Sequence, residues 1–228
     1  MRLGQPRLHL RATGSTNDEA RGLAARGAPH GTLVTATQQT AGRGRQGRAW
    51  AAPAGRALLC SLVLRDPGEL ISLAAGVAVA DLVGAQAALK WPNDVLVDGR
   101  KVAGILVEGR PQEGWAVLGI GINVALRSQD FPPELRERAG TLGREVADIE
   151  PALVTLLDAL ERWLSAPCAD VLEAVRARDA LLGRPVRWGG GSGVGAGVDD
   201  HGRLRVRTGT ETVALDAGEV HLGDAPGE

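Results

Sequence analysis

Four stretches of this 228-residue chain concentrate side chains suited to holding an anion. The densest is Gly42-Arg43-Gly44-Arg45-Gln46-Gly47-Arg48-Ala49-Trp50. Its glycines allow sharp turns and close approach to a ligand. Its three arginines offer permanently charged, forked donors for phosphate or carboxylate. Repulsion among them, added to glycine entropy, predicts a loop that is mobile when empty and ordered by an anion. An RNA-binding Arg-Gly segment is the competing reading. The second stretch, Lys90-Trp91-Pro92-Asn93-Asp94, bunches Lys, Asn and Asp at a strand end, with Pro92 fixing the backbone. Alone it also fits a rigid turn. The third is Lys101 at the mouth of an apolar strand, Val102-Ala103-Gly104-Ile105-Leu106-Val107-Glu108. Such a lysine either snorkels to water or holds an anion inside a pocket. The fourth, Gly119-Ile120-Gly121-Ile122-Asn123-Val124, sets glycines between bulky strand residues and leaves room for a ligand.

The elements that must position these stretches read as α+β. Ser15-Thr16-Asn17-Asp18 offers N-cap side chains for a helix to about Arg26, with Gly27 as its C-terminal cap. Thr32–Gln38 and Ala57–Leu64 read as strands, residues 40–56 as loop, and Leu70–Val83 as a buried helix. Ala88–Trp91, Asp94–Val97, Lys101–Glu108 and Gly114–Asn123 follow as strands, with Asp98-Gly99 as a hairpin turn. Two helices are expected near Pro151–Ser165 and Ala169–Leu182. Leu153, Leu156, Leu157, Leu160 and Leu164 have the spacing of one buried face. From Gly183 the pattern changes to short strands, Pro185–Trp188, Val194–Val198, Leu204–Arg207 and Thr212–Leu215, with glycine-rich turns that include Asp199-Asp200-His201-Gly202. A small β-barrel appended to an α+β domain is expected, dividing the chain at 182/183. Gly189–Gly197 reads as a flexible turn, since it lacks the lysine and following helix of a phosphate loop.

Composition excludes several classes. The net charge is −1, with 44% hydrophobic and 23% charged residues, ordinary for a globular protein. No apolar run approaches the ~20 residues of a membrane helix, and the N-terminus carries no signal-peptide run. Cys60 and Cys168, both in apolar stretches, are expected as reduced, buried thiols of a cytoplasmic protein. His9, His30, His201 and His221 are scattered, which argues against zinc. The basic charge is local. Between Glu19 and Asp66 there is no acidic residue but there are seven arginines: Arg21, Arg26, Arg43, Arg45, Arg48, Arg56 and Arg65. That pattern suggests a focused anion site, or more plainly a solvated basic face.

The order of the motifs goes further. Gly14-Ser15-Thr16-Asn17, GRGRQGRAW at 42–50, KWPND at 90–94, KVAGILVE at 101–108 and GIGINV at 119–124 together resemble the biotin–protein ligase family. The strand-rich tail resembles that family's small SH3-like domain, residues 183–228. The resemblance implies a class II aminoacyl-tRNA-synthetase-like mixed sheet flanked by helices over residues 1–182. It implies that Ser15, Thr16, Asn17 and Gln39 face the ureido ring of biotin, whose donors and acceptors hydroxyls and amides can answer. Gly42, Arg43, Gly44 and Arg45 match the ligand-binding loop, Gly104 and Leu106 border the pocket, and Lys101 matches the pocket lysine. Lys101, Arg43 and Arg45 are the implied catalytic cations. Arg45, Arg48, Trp50, Lys90, Asn93, Asp94 and Asn123 are the implied nucleotide side.

The implied reaction joins biotin to ATP as biotinyl-5'-AMP and then moves biotin to a lysine of the biotin carboxyl carrier protein of acetyl-CoA carboxylase. Mg²⁺ is expected with ATP; its ligands stay unassigned, with Asp94 a weak candidate. The family contains chains with and without dimers, so a homodimer is left open. Only about a dozen residues precede Gly14, so no DNA-binding winged helix and no repressor function are expected. Where relatives commonly carry Arg in the loop this chain has Gln46, which puts its grip on the adenylate in question. The rivals are a lipoate–protein ligase of the same fold, a noncatalytic biotin-binding protein, and a nucleic-acid-binding module. The last is disfavoured by five Trp, one Phe and no Tyr.

Overall fold

The computed structural model describes residues 2–110, 113–209, 211–216 and 218–223. Seven strands make the main sheet: β1 (Arg7–Leu10), β2 (Leu33–Ala36), β3 (Ala57–Arg65), β4 (Ala87–Lys90), β5 (Asp94–Val97), β6 (Arg100–Arg110) and β7 (Trp115–Asn123). Their order is β1-β2-β3-β7-β6-β5-β4. β1 runs parallel to β2 and every other neighbouring pair is antiparallel. The sheet is therefore mixed, as expected, and β1 is a strand that the opening residues did not reveal.

Side-chain alternation along a strand sends successive residues to opposite faces, and here it separates core from site. Leu58, Cys60, Leu62 and Leu64 of β3 join Leu118, Ile120 and Ile122 of β7 in the main apolar cluster. That cluster includes α2 (Ile71–Val83), α3 (Ile149–Leu164) and α4 (Cys168–Arg176). Because α2 lies between the sheet and these helices, it is buried on nearly all sides. The intervening residues Val63 and Val117 face the other way and pack on Ala20 and Ala24 of α1 (Thr16–Ala25). Gly27, at φ +85°, ends α1 as expected, and its N–H bonds to Ala24 O at 3.0 Å.

The tail forms a second, antiparallel sheet: β8 (Pro185–Trp188), β9 (Gly191–Val198), β10 (Leu204–Thr208), β11 (Glu211–Leu215) and β12 (His221–Leu222), ordered β11-β10-β9-β8-β12. Its Val186, Val198, Leu204 and Val206 belong to the same apolar cluster as the helices. The turn ending in Gly202 docks on the main sheet, where Trp91 Nε1 donates to Gly202 O at 2.9 Å.

Four expectations need correction. Gly189–Gly197 is largely strand: a Cβ on Gly193 would lie 2.4 Å from Arg207 O, and one on Gly195 2.1 Å from Leu181 O. These glycines serve close backbone packing rather than mobility. The helix expected over Ala169–Leu182 ends at Arg176, after which Asp179 bridges to Leu89 at the end of the main sheet. Leu153, Leu156 and Leu160 are buried, whereas Leu157 and Leu164 pack only at the margin of that face. Cys60 is buried, and burial pushes its thiol up to about 12, but Cys168 at the start of α4 is exposed. Among the described residues no helix is long and apolar enough to cross a membrane.

Candidate active site

The sheet face opposite α2 and α3 floors a cavity of about 740 Å³. Its floor is made of small residues. A Cβ on Gly121 would lie 2.6 Å from Trp50 Cε2, and one on Gly104 3.1 Å from Trp50 Cζ3 and from Lys101 Nζ. Trp50 can lie on β6 and β7 because neither strand has a side chain there. Lys101 Nζ sits 5.7 Å from the centre of the same ring, within cation–π range. A Cβ on Gly119 would meet Asn17 Oδ1 at 2.1 Å. The GIGINV glycines are thus seats for Asn17 and Trp50.

At one end the start of α1 brings in Ser15, Thr16 and Asn17, all buried. Ser15 occupies the N-cap position, but its hydroxyl makes no cap bond. Gln39 turns its Oε1 to α1 and accepts from Thr16 N at 2.7 Å and Thr16 Oγ1 at 3.0 Å. Its Nε2 stays available. Both ends of the Asn17 amide are engaged. Nδ2 donates to Glu108 Oε2 at 2.7 Å, and Oδ1 lies 2.6 Å from the hydroxyl of Ser61.

The arginine loop folds back over the cavity, with Gly44 N bonded to Arg48 O at 2.6 Å and Trp50 N to Gly42 O at 2.9 Å. Its cations have protein partners. Arg43 pairs with Asp18 at 2.5 Å and Glu108 at 3.4 Å. Arg48 reaches Glu219 at 2.5 Å. Arg45 lies 3.5 Å from Asn93 Oδ1; burial pushes its guanidinium down from its ordinary value, an effect opposed by Asp94. Asp94 also sits between two lysines, 2.5 Å from Lys101 Nζ and 3.5 Å from Lys90 Nζ. Among the described residues cations nonetheless exceed anions on the lining, with Arg43, Arg45, Arg48, Lys90, Lys101, Arg138 and Arg187 against Asp94 and Glu219. Such a cavity favours a ligand carrying several negative charges.

Every residue that the motifs nominated lines this cavity except Gly42. Gly42 acts through the backbone, since a Cβ there would lie 2.4 Å from Trp50 O. Asn123 and Asn93 line it while also serving as braces. Asn123 Nδ2 donates to Gly140 O at 2.8 Å, and Asn93 Nδ2 to Ile105 O at 2.8 Å. Gln46 is exposed, has φ +54°, and does not line the cavity. The loop's three arginines all line the cavity, while Gln46 borders a smaller pocket beside Lys90 and Asp94.

Other lining residues went unread in the sequence. Arg138 comes from the segment laid beside β6, where Lys101 N donates to Arg138 O at 2.7 Å. Arg187, Glu219 and His221 come from the second sheet, which supplies one wall. None belongs to a chemically dense motif. Ser61, which does not line the cavity but lies behind Thr16 and Asn17, shows no sign in the run Leu58-Leu59-Cys60-Ser61-Leu62 beyond its odd place in the alternation. Among the described residues no three His, Cys, Asp or Glu side chains cluster to hold a metal.

A mixed sheet with a deep, strongly cationic cavity on one face defines an α+β protein built to receive anionic small molecules. The chain belongs to the biotin/lipoate A/B protein ligase family, whose model matches residues 10–124. It is 38% identical to a biotin–[acetyl-CoA-carboxylase] ligase of Mycobacterium tuberculosis, over 92% of this chain and 86% of that one. It is 37% identical to a protein of the same name from Paracoccus denitrificans, over 94% of this chain and 99% of that one. Its fold matches a biotin protein ligase from Aquifex aeolicus solved with biotin and ATP, with a TM-score of 0.81 and 27% identity over 97% of this chain and 100% of that one.

Proposed function

We infer that this chain is a ligase that activates biotin with ATP and transfers it to a lysine of the biotin carboxyl carrier protein of acetyl-CoA carboxylase. The observation that carries the reading is one continuous cavity. It joins the hydroxyl and amide groups of Ser15, Thr16 and Gln39 to Lys101 and the arginine loop. The first group suits a ureido ring, the second a carboxylate meeting a triphosphate. Gly104 and Leu106 supply the apolar wall between. The relatives' names, biotin–[acetyl-CoA-carboxylase] ligase, support the carrier.

In the first step a carboxylate oxygen of biotin attacks the α-phosphorus of ATP. The bond from that phosphorus to the oxygen bridging to the β-phosphate breaks, and pyrophosphate leaves. In the second, the neutral amine of the carrier lysine attacks the acyl carbon, loses a proton and expels AMP. Both steps gather negative charge on oxygens. We assign Lys101, Arg43 and Arg45 to that charge, where one well-placed donor contributes roughly 3 kcal/mol. Proximity supplies the rest, with no protein nucleophile. Trp50, Lys90, Arg48, Asn93, Asp94 and Asn123 are assigned to the nucleotide side, and Mg²⁺ arrives as part of the ATP substrate. Arg43 must exchange part of its pairing with Asp18 for ligand contact, which makes the loop a segment that the adenylate rearranges.

We further propose that the described residues within 183–228 form an SH3-like unit beside a synthetase-like domain made by those within 1–182, and that the described residues take no part in DNA recognition. The residues just before α1 form a strand of the main sheet. Pyrophosphate release from ATP should depend on biotin and not respond to lipoate. Release driven by lipoate alone would replace this reading with the lipoate ligase.

A further inference from the structure

We propose that Ser61 is a positioning residue that, together with Gln39, presents Thr16 to the ligand only as a hydrogen-bond acceptor. The proposal rests on the reading that this end of the cavity takes biotin's ureido ring. Ser61 has no solvent exposure, yet it lies on the site face of β3 with its hydroxyl 2.6 Å from Asn17 Oδ1 and 2.8 Å from Thr16 Oγ1. Neighbouring groups fix where its single proton goes. Asn17 Nδ2 lies 2.7 Å from Glu108 Oε2 and 3.5 Å from Leu106 O. A carboxylate and a carbonyl only accept, so the NH₂ end of the amide faces them and its oxygen faces Ser61. An amide oxygen cannot donate, so Ser61 donates to Asn17. Toward Thr16, Ser61 is then an acceptor.

The other neighbour of the Thr16 hydroxyl is Gln39 Oε1, at 3.0 Å, and it is an acceptor too, because it already receives the Thr16 N–H at 2.7 Å. Whichever of the two takes Thr16's proton, that proton stays inside the protein. Only a lone pair of Thr16 Oγ1 is left for the cavity. The ligand group that meets Thr16 must therefore bring its own N–H, as a ureido nitrogen does and a cyclic disulfide does not. Sites built to bond a polar ligand group discriminate strongly against analogues lacking it.

Kinetics of Ser61→Ala test this beside Thr16→Val, with biotin and with biotin methylated on a ureido nitrogen as substrates. Ser61→Ala should raise the KM for biotin about 10-fold, the scale of one buried hydrogen bond. Its kcat and its KM for ATP should stay within about 2-fold of wild type, and the preference for biotin over the methylated analogue should shrink. Ser61→Cys, nearly the same size and a weaker donor, should fall between; it carries the test if the alanine variant does not fold. An unchanged biotin KM in Ser61→Ala, with Thr16→Val impaired, would overturn the positioning role and leave the ureido pocket standing. Unchanged biotin KM in both would overturn both. A parallel rise in the KM values for biotin and ATP, or an undiminished preference over the analogue, would reduce Ser61 to a structural residue and also overturn the proposal.

Discussion

Lys101→Ala should slow biotinyl-5'-AMP formation by at least about 100-fold, on the scale of ~3 kcal/mol for one charged donor at a developing oxyanion. The loss should fall on kcat, because the charge that Lys101 meets grows as the carboxylate attacks phosphorus. Fold should persist. The structural work at this position is done by the backbone, whose N–H bonds to Arg138 O at 2.7 Å and whose carbonyl accepts from Gly140 N at 2.8 Å. The side chain contributes an ion pair with Asp94 and a contact with Trp50. Biotin-dependent exchange of pyrophosphate into ATP measures the step, and circular dichroism checks the fold. An exchange rate within about 3-fold of wild type would remove Lys101 from the reacting centre.

Gly119→Ala should raise the KM for biotin by about 100-fold, the effect of forcing an atom into a filled site at ~1–3 kcal/mol. The added carbon would sit 2.1 Å from Asn17 Oδ1. Asn17 cannot swing away cheaply, because Ser61 and Glu108 hold the two ends of its amide. Thr16, next to it in the chain and bonded to the same serine, would move too. The KM for ATP should change far less. Titration calorimetry with biotin reports the effect directly, and near-normal biotin affinity would show that the start of α1 is not where biotin is held. Gly109, on the neighbouring strand β6, is a fair control, since a Cβ there would come no nearer than 3.5 Å to Ala116 Cβ.

Much of this site was legible in the chain because its chemistry sits in contiguous motifs. Ser15 to Asn17, Arg43 to Trp50 and Lys90 to Asp94 are each dense in polar or charged groups, and all converge on one cavity. What stayed hidden reaches the cavity from far along the chain or acts from behind it. Arg187, Glu219 and His221 arrive with the second sheet, and no local pattern links them to the arginine loop until Glu219 is seen 2.5 Å from Arg48. Ser61 looks like a small core residue among leucines. Only its alternation with Cys60 and Leu62, which face the helices, puts it on the polar side.

The fold shows the same division. Long apolar runs such as β3 and α2 matched their expected spans closely. Expectations drawn from glycine alone did worse. A glycine run can mean a turn or a strand needing close backbone approach, and Gly193 and Gly195 belong to the second kind. Gln46 showed the limit of counting charges by motif. It marks a departure in sequence, yet its side chain lies outside the lining, so the loop keeps its three arginines on the cavity.

Biotin ligation can be observed outright by incubating the purified chain with Mg-ATP, labelled biotin and the purified carrier domain of an acetyl-CoA carboxylase. One biotin should appear on the carrier's acceptor lysine, with AMP and pyrophosphate released in equal amount and no transfer when ATP is omitted. Transfer of lipoate in place of biotin, or no ATP-dependent labelling by a chain that binds both substrates, would contradict it.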